Sequence, residues 1–248
     1  MTCLNAMVVR WWVLGDTELE GEGKLGWEPV MRIALFGTTG RLGREVLNAA
    51  LARGHAVTAH ARKPPQEAQP GIDWVSGEAG HAVAGADVVM VTFGPRSPSD
   101  VPFCAAETQA ILDAMRRLQV NRILRVTGAM VGHYPGNRSW WFQKLAGWIQ
   151  QRYRASMDDR AKHEDLVRQS GFEWTFFKPP RLTLKSSPRK LEVGPEVQLG
   201  LLSAVARRSL AHILIEEEEE HGRFARCSVF IKNRPSGATL ARSSVNGV

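Results

Sequence analysis

Short apolar runs alternate with amphipathic stretches from residue 31 to residue 231 of this 248-residue chain. Apolar residues in alternating or continuous runs predict strands, and apolar residues three and four positions apart predict helices. Strands are predicted near residues 31–36, from 56, and near 72–75, 86–93, 121–127, 171–178 and 225–231, with helices near 41–53, 102–118 and 205–219. This alternation predicts an α/β fold, a doubly wound parallel sheet with helices on both faces in a single domain.

Two segments flank this domain, which we expect to span residues 31–232. Residues 1–30 contain Trp11 and Trp12 and then an acidic, glycine-rich stretch. They are interpreted as a flexible appendage or as upstream sequence from a start codon placed too early, and we expect disorder in either case. Residues 233–248, rich in Ser, Gly and Arg, are predicted to form a flexible tail.

A helical insert of about residues 130–170 separates the fifth and sixth predicted strands. It carries four aromatic residues at helical spacing: Trp140, Trp141, Trp148 and Tyr153. Such a stripe most often belongs to the core or to a lid packed on the core. Because the insert follows a central strand, it is also a candidate wall of a substrate pocket.

A glycine-rich turn follows the first predicted strand. Gly37, Gly40 and Gly43 have the spacing G-x-x-G-x-x-G, directly before the helix predicted at 41–53. Glycines let the backbone approach a ligand closely, and a helix N-terminus presents unpaired N–H donors to an anion. Strand, glycine turn and helix together predict a Rossmann-like site for a dinucleotide pyrophosphate. Its residues are Gly37, Thr38, Thr39, Gly40, Arg41, Leu42 and Gly43.

The end of the second predicted strand indicates which dinucleotide binds. This strand stops about twenty residues beyond the glycines, where the adenosine ribose of a bound dinucleotide lies. Arg62 and Lys63 stand there, and no carboxylate does. An acidic side chain would favour NAD, whereas a guanidinium can hold a 2′-phosphate. We therefore expect NADP(H), although both cations could instead be solvated charges at the start of a loop.

Composition and charge limit the other possible functions. The formal net charge is +7, but the basic residues are scattered and are not interleaved with aromatic residues, so a nucleic-acid partner is not expected. The seven histidines show no metal-ligand spacing, so no metal is expected. The acidic run 216–220 is interpreted as a solvated helix face. Nothing in the sequence indicates the oligomeric state.

The cysteines and the apolar segments predict the compartment. Cys3, Cys104 and Cys227 are widely spaced, which is typical of a reducing compartment and argues against a disulfide framework. Residues 1–30 lack the order of a signal peptide. No apolar run reaches the roughly 18 residues of a membrane span. We therefore expect a cytoplasmic protein that does not associate with a membrane. The expected partner is a small-molecule substrate.

The glycine turn, Arg62 and the stretch 164–181 together resemble the atypical short-chain dehydrogenase/reductases. The resemblance covers about residues 31–232 and is greatest to the NAD(P)H-binding group that includes NmrA-like proteins and the biliverdin-IXβ and flavin reductases. It implies that Phe93 and Gly94 lie near the nicotinamide-side ribose. It also implies that Thr127 and Gly128 lie beside the nicotinamide, and that Pro179 and Pro180 close over that ring.

Three positions depart from the pattern of this family. Gly77-Glu78 replaces a usual Gly-Asp near the adenine. Gly128 stands where a hydroxyl often follows the strand-end Thr, and Ser209 stands where an Asp is frequent. Each departure puts a detail of the site in doubt and leaves the predicted fold unchanged.

The usual catalytic pair of short-chain dehydrogenases, Tyr-x-x-x-Lys, is missing. Tyr134 is followed four residues later by Arg138, and Tyr153 by Met157. Thr127, His133 and Tyr134 remain weak candidates for a catalytic role. The sequence therefore favours an NADPH-dependent oxidoreductase that passes hydride to a small planar acceptor such as a flavin, quinone or enone. The alternative is a non-catalytic, redox-sensing NADP(H)-binding regulator of the NmrA type.

Overall fold

The computed structural model describes residues 9–12, 31–65, 71–95, 97, 99–184, 190–220 and 222–233. The strands are β1 Val9–Trp12, β2 Arg32–Phe36, β3 Ala56–His60, β4 Ile72–Val75, β5 Val88–Val91, β6 Arg122–Val126, β7 Glu173–Lys178, β8 Arg181–Thr183, β9 Lys190–Gly194, β10 Ala204–Ala206 and β11 Cys227–Asn233. The helices are α1 Arg41–Ala52, α2 Ala79–Val83, α3 Cys104–Leu118, α4 Trp140–Arg152, α5 Arg154–Gln169 and α6 Arg207–Glu219.

One large sheet organises the described part of the chain, with the strand order β1-β9-β11-β7-β6-β5-β2-β3-β4. The strands from β4 to β11 in this order pair in parallel. β9 lies antiparallel to β11, and β1 lies antiparallel to β9. The order reverses between β2 and β5, and ligands of such sheets bind outside the carboxyl ends of the strands at this point. The predicted Rossmann-like fold is confirmed.

Helices cover both faces of the sheet, because successive residues of each buried strand point to opposite sides. Ile33 and Leu35 pack on one side in a cluster with residues of α1 and α6. Ala34 and Phe36 pack on the other side with residues of α2, α3 and α5. β8 and β10 form a separate two-stranded parallel sheet after β7.

The segment 1–30 departs from the sequence prediction at one place. Within this segment, which was expected to be disordered, Val9–Trp12 form an edge strand with Val9 opposite Val193 of β9. The rest of 1–30, and the predicted tail beyond Asn233, lie outside the described residues. Cys227 is disulfide-bonded, contrary to the expectation from cysteine spacing, whereas Cys104 is a free and buried thiol.

The aromatic stripe of the insert does not form core, so this part of the prediction is wrong. Trp140, Trp141 and Trp148 on α4 keep 58–59% of their surface exposed. The buried residues of α4 are Phe142 and Ala146, which lie one turn apart. Helical spacing shows that residues share faces, but it does not show which face meets the sheet.

The acidic run is also not the solvated face that the sequence indicated. Glu217 is 1% exposed, and its carboxylate accepts a hydrogen bond from the Phe224 backbone N–H at 2.6 Å. Arg122, at the start of β6, forms ion pairs with Glu217 at 3.4 Å and with Glu218 at 2.6 Å. Burial raises the pKa of Glu217 to about 7, although the Phe224 amide and Arg122 act in the opposite direction. Glu217 and Glu218 therefore connect α6 to β6 of the sheet.

Candidate dinucleotide and acceptor site

The glycine turn between β2 and α1 brings backbone segments closer than side chains would allow. Gly37 has a φ of +85°, and a Cβ atom placed there would lie 2.6 Å from the backbone nitrogen of Phe93. A Cβ atom at Gly43 would lie 2.2 Å from the carbonyl oxygen of Gly37. Residue 37 therefore needs glycine because of its positive φ and because the backbone after β5 lies so close. Residue 43 needs glycine because α1 packs directly against the turn.

The first turn of α1 is open to a ligand. Gly40 precedes the helix, and no side chain caps it. Thr39, Gly40 and Arg41 are exposed, whereas Thr38 is buried and its hydroxyl donates to the Leu35 carbonyl at 2.9 Å. Because the first N–H groups of a helix lack partners within the helix, they remain available to an anion such as a pyrophosphate.

Two exposed cations follow the end of β3, as the sequence indicated. Arg62 and Lys63 are both exposed, and neither forms an ion pair with another described residue. Just before them, the His60 ring packs on Phe36 with 5.0 Å between ring centroids. His60 Nε2 also lies 2.9 Å from the carbonyl oxygen of Gly77. The cations thus extend into solvent beyond an ordered strand end.

The predicted nicotinamide-side residues lie at the ends of three adjacent strands. Phe93 and Gly94 follow β5, Thr127 and Gly128 follow β6, and Pro179 and Pro180 follow β7. The Thr127 N–H donates to the Phe177 carbonyl at 2.9 Å, and the Ala129 N–H donates to that of Pro179 at 3.0 Å. The β6 and β7 ends are therefore joined, although their residues are about fifty positions apart in the sequence.

A buried charge network, which the sequence did not predict, supports these strand ends. The side chains of Lys178 on β7 and Glu164 on α5 are fully buried, with Nζ and Oε1 2.7 Å apart. Arg168, one turn after Glu164 on α5, reaches the other carboxylate oxygen at 2.8 Å. Lys178 Nζ also donates to the Thr127 hydroxyl at 3.2 Å. The run Phe176-Phe177-Lys178 in a buried strand was the available signal, since a buried lysine needs a partner.

Burial and pairing act against each other in this network. Burial lowers the pKa of Lys178 to about 8, although the Glu164 carboxylate favours the ammonium form. Burial alone would raise the pKa of Glu164, but Lys178 and then Arg168 hold it below its usual value. Near neutral pH the pair is therefore charged and fully enclosed.

Tyr134 belongs to the same network and not to an open catalytic position. Its hydroxyl lies 3.0 Å from Ser228 Oγ and also contacts Arg168 and Glu164. Burial, followed by the charge of Glu164, raises the pKa of Tyr134 to about 12. The ring borders a cavity of about 540 Å³, which the exposed His133 also lines. A phenol with this pKa is a poor proton donor near neutral pH.

A second polar cluster lies between α3, α5 and the end of β6. Arg125 is 1% exposed, and its Nε and Nη1 atoms have no partner among the described residues. Its guanidinium lies 4.2 Å from the centre of the Phe93 ring. His163 on α5 is 2% exposed and has no partner on either ring nitrogen. Burial, and then the charges of Arg125 and Arg160, lower the pKa of His163 far below its usual range, so it stays neutral.

The comparison with known families agrees with this geometry. The sequence model of a family described as NAD(P)H-binding matches residues 37–220, beginning at the first glycine of the turn. The chain belongs to this NAD(P)H-binding family.

Among the described residues there is no cluster of three or more potential metal ligands, and no helix has the length and apolar character needed to cross a bilayer.

Solved structures share the fold over most of the chain. A proposed exported protein of Burkholderia pseudomallei is 24% identical, with a TM-score of 0.64 over 82% of this chain and 99% of its own. A proposed NADH-flavin reductase of Streptococcus pneumoniae TIGR4 is 20% identical, with a TM-score of 0.62 over 82% and 100%. A short-chain dehydrogenase/reductase of Veillonella parvula in complex with NADP is 17% identical, with a TM-score of 0.66 over 83% and 95%. These likenesses agree with the Rossmann-like fold of this chain.

Proposed function

We propose that this protein is an NADPH-dependent oxidoreductase that passes hydride to a small planar acceptor such as a flavin, quinone or enone. The observation that carries the proposal is the uncapped first turn of α1, which follows a glycine turn packed tightly at Gly37 and Gly43. These features fit a dinucleotide pyrophosphate. When bound, NADPH supplies the hydride, and the protein supplies binding, orientation and a protected face.

The preference for NADPH over NADH rests on the end of β3. Arg62 and Lys63 are exposed and have no carboxylate partner among the described residues. A guanidinium can form parallel hydrogen bonds with the 2′-phosphate that distinguishes the two cofactors. We therefore assign Arg62, with Lys63 beside it, to that phosphate.

The nature of the acceptor follows from the missing acid. Neither Tyr134 nor Tyr153 has a lysine four residues later, and Tyr134 is held by Glu164 and Arg168. A ketone reductase requires a proton donor for the alkoxide that forms. Conjugated acceptors form more stable anions that can take a proton from water. The proposal therefore favours planar conjugated acceptors.

Titration with NADPH and NADH tests the cofactor assignment. We expect NADPH to bind at least about tenfold more tightly, which is about 1.4 kcal/mol. Arg62→Ala should remove most of this difference and leave NADH binding unchanged. Arg117→Ala is the matched control, because Arg117 is an exposed cation in the last turn of α3. Equal affinities of the wild type for the two cofactors would contradict the assignment.

The alternative function is a redox-sensing regulator that binds NADP(H) without catalysis, as in NmrA-like proteins. The observation that favours it is the missing Tyr-x-x-x-Lys pair. Optical measurement of NADPH oxidation over a panel of flavins, quinones and enones separates the two functions. Turnover supports the oxidoreductase, whereas tight binding with no turnover of any acceptor would support the regulator.

A further inference from the structure

At the carboxyl end of β6, the Arg160 guanidinium fills the space that a side chain at residue 128 would take. Arg160 lies on α5, and its Nη2 atom is 2.8 Å from the place that a Cβ atom at Gly128 would take. Any side chain at residue 128 would therefore displace the guanidinium. Glycine at this position, which departs from the family pattern, leaves the space that Arg160 fills.

Arg160 has no ion-pair partner within the described part of the chain. Its side chain is partly buried, and its Nη1 donates a weak hydrogen bond to the Met157 sulfur at 3.9 Å. A partly buried guanidinium ordinarily pairs with a carboxylate, because its desolvation is costly. Arg160 therefore has unused capacity to bind an anion.

The two carboxylates whose charges act on Arg160 are already committed to other partners. Asp159 accepts hydrogen bonds from three backbone N–H groups at the start of α3, at 3.2, 2.8 and 3.0 Å. Asp159 lies within α5 and caps the neighbouring helix α3. Glu164 is held by Lys178 and Arg168. Neither carboxylate neutralises Arg160 at close range.

The other groups around Arg160 add positive charge or none. Arg125 is buried with two unpartnered nitrogens. Burial raises the pKa of the Cys104 thiol, and burial lowers that of His163, so both are neutral. Arg125 lies against the Phe93 ring, and the Phe93 backbone adjoins Gly37 of the glycine turn. The positive region thus borders the proposed cofactor site.

We propose that the Arg160 guanidinium binds the oxyanion that forms on the acceptor during reduction, and that the acceptor is a conjugated carbonyl compound, a quinone or an enone. This inference rests on the proposed function and deepens it. Gly128 has the role of a positioning residue, because its missing side chain allows the guanidinium to stand at the strand end.

Reduction of the acceptor balances in electrons and protons without an acidic side chain of the protein. A carbon of the acceptor gains the hydride with its electron pair, the conjugated π electrons move onto the carbonyl oxygen, and the nicotinamide is oxidised. Arg160 holds the resulting negative charge, and water then supplies the proton to the oxygen. Positive groups aimed at developing charge commonly contribute a factor of about 10²–10³ to kcat.

Two substitutions test the inference from opposite sides. Arg160→Ala should lower kcat by roughly 100-fold, and added guanidinium ion should restore part of it. Gly128→Ala should have a similar effect on kcat with little change in stability, because the clashing atom is the far end of a flexible side chain. The double variant should be no worse than either single one, since both remove the same interaction. Lys162→Ala is the control, because Lys162 is an exposed cation on the same helix.

Binding of 4-nitrophenol in the presence of NADP⁺ gives a readout that does not depend on turnover. Its yellow phenolate mimics the acceptor oxyanion, so the wild type should lower the pKa of the bound phenol. Arg160→Ala and Gly128→Ala should abolish this shift, while Lys162→Ala keeps it.

The outcomes separate the inference from the function on which it rests. If the wild type turns over quinones or enones but Arg160→Ala equals it in kcat and in phenol binding, the inference is wrong and the proposed function stands. If the wild type reduces no acceptor, the proposed function fails. In that case, an unshifted pKa of bound nitrophenol in the wild type overturns the inference as well.

Discussion

The proposed nucleotide side and the proposed acceptor side of this site are built in opposite ways. On the proposed nucleotide side, Thr39, Gly40 and Arg41 at the start of α1 are exposed, and so is Arg62 after β3. On the acceptor side, Thr127, Glu164 and Lys178 come from three distant segments and are fully enclosed. The first region leaves its charges free for a ligand, whereas the second satisfies most of them internally.

This difference suggests how each region tolerates change. A turn of consecutive residues is disturbed by local crowding, and an enclosed network is disturbed by the loss of any member. Arg160 stands between the two cases, because it lies on the enclosed side and yet has no ion-pair partner among the described residues. Our proposal assigns it the acceptor oxyanion for this reason.

The largest effect is expected from breaking the enclosed pair. Lys178→Met should lower the free energy of unfolding by about 3–5 kcal/mol, because it leaves the buried Glu164 without its main partner. Chemical denaturation measures this loss. Adding Glu164→Gln to the same protein should recover part of the stability. A loss below about 1 kcal/mol, the value typical of an exposed ion pair, would show that the network is not enclosed.

A smaller loss is expected from crowding the glycine turn. Gly43→Ala places a Cβ atom 2.2 Å from the Gly37 carbonyl oxygen. We expect a loss of about 1–3 kcal/mol in stability, the range for overpacked sites, together with loss of NADPH binding. Denaturation and cofactor titration check both effects. Gly147→Ala is the control, since nothing lies within 4 Å of its Cβ position in α4, and it should be neutral or slightly stabilising.

The smallest effect is expected on the exposed face of the insert. Trp148→Ala should change the free energy of unfolding by no more than about 0.5 kcal/mol, because the side chain is 59% exposed. Phe142→Ala on the same helix should cost about 3 kcal/mol or more, because that ring is 3% exposed. Equal costs for the two substitutions in denaturation would contradict the orientation of α4.

The sequence by itself determined the alternation of strands and helices, the glycine turn and the two cations after β3. These features are local, because each depends on a few adjacent residues whose spacing matches one period or one turn. Only the tertiary structure decided four other features: the exposed tryptophans, the buried Glu217, the Lys178–Glu164 pair and the Arg160–Gly128 contact. Each depends on how separate elements pack together, because a contact between two elements cannot be derived from the residue spacing within either one.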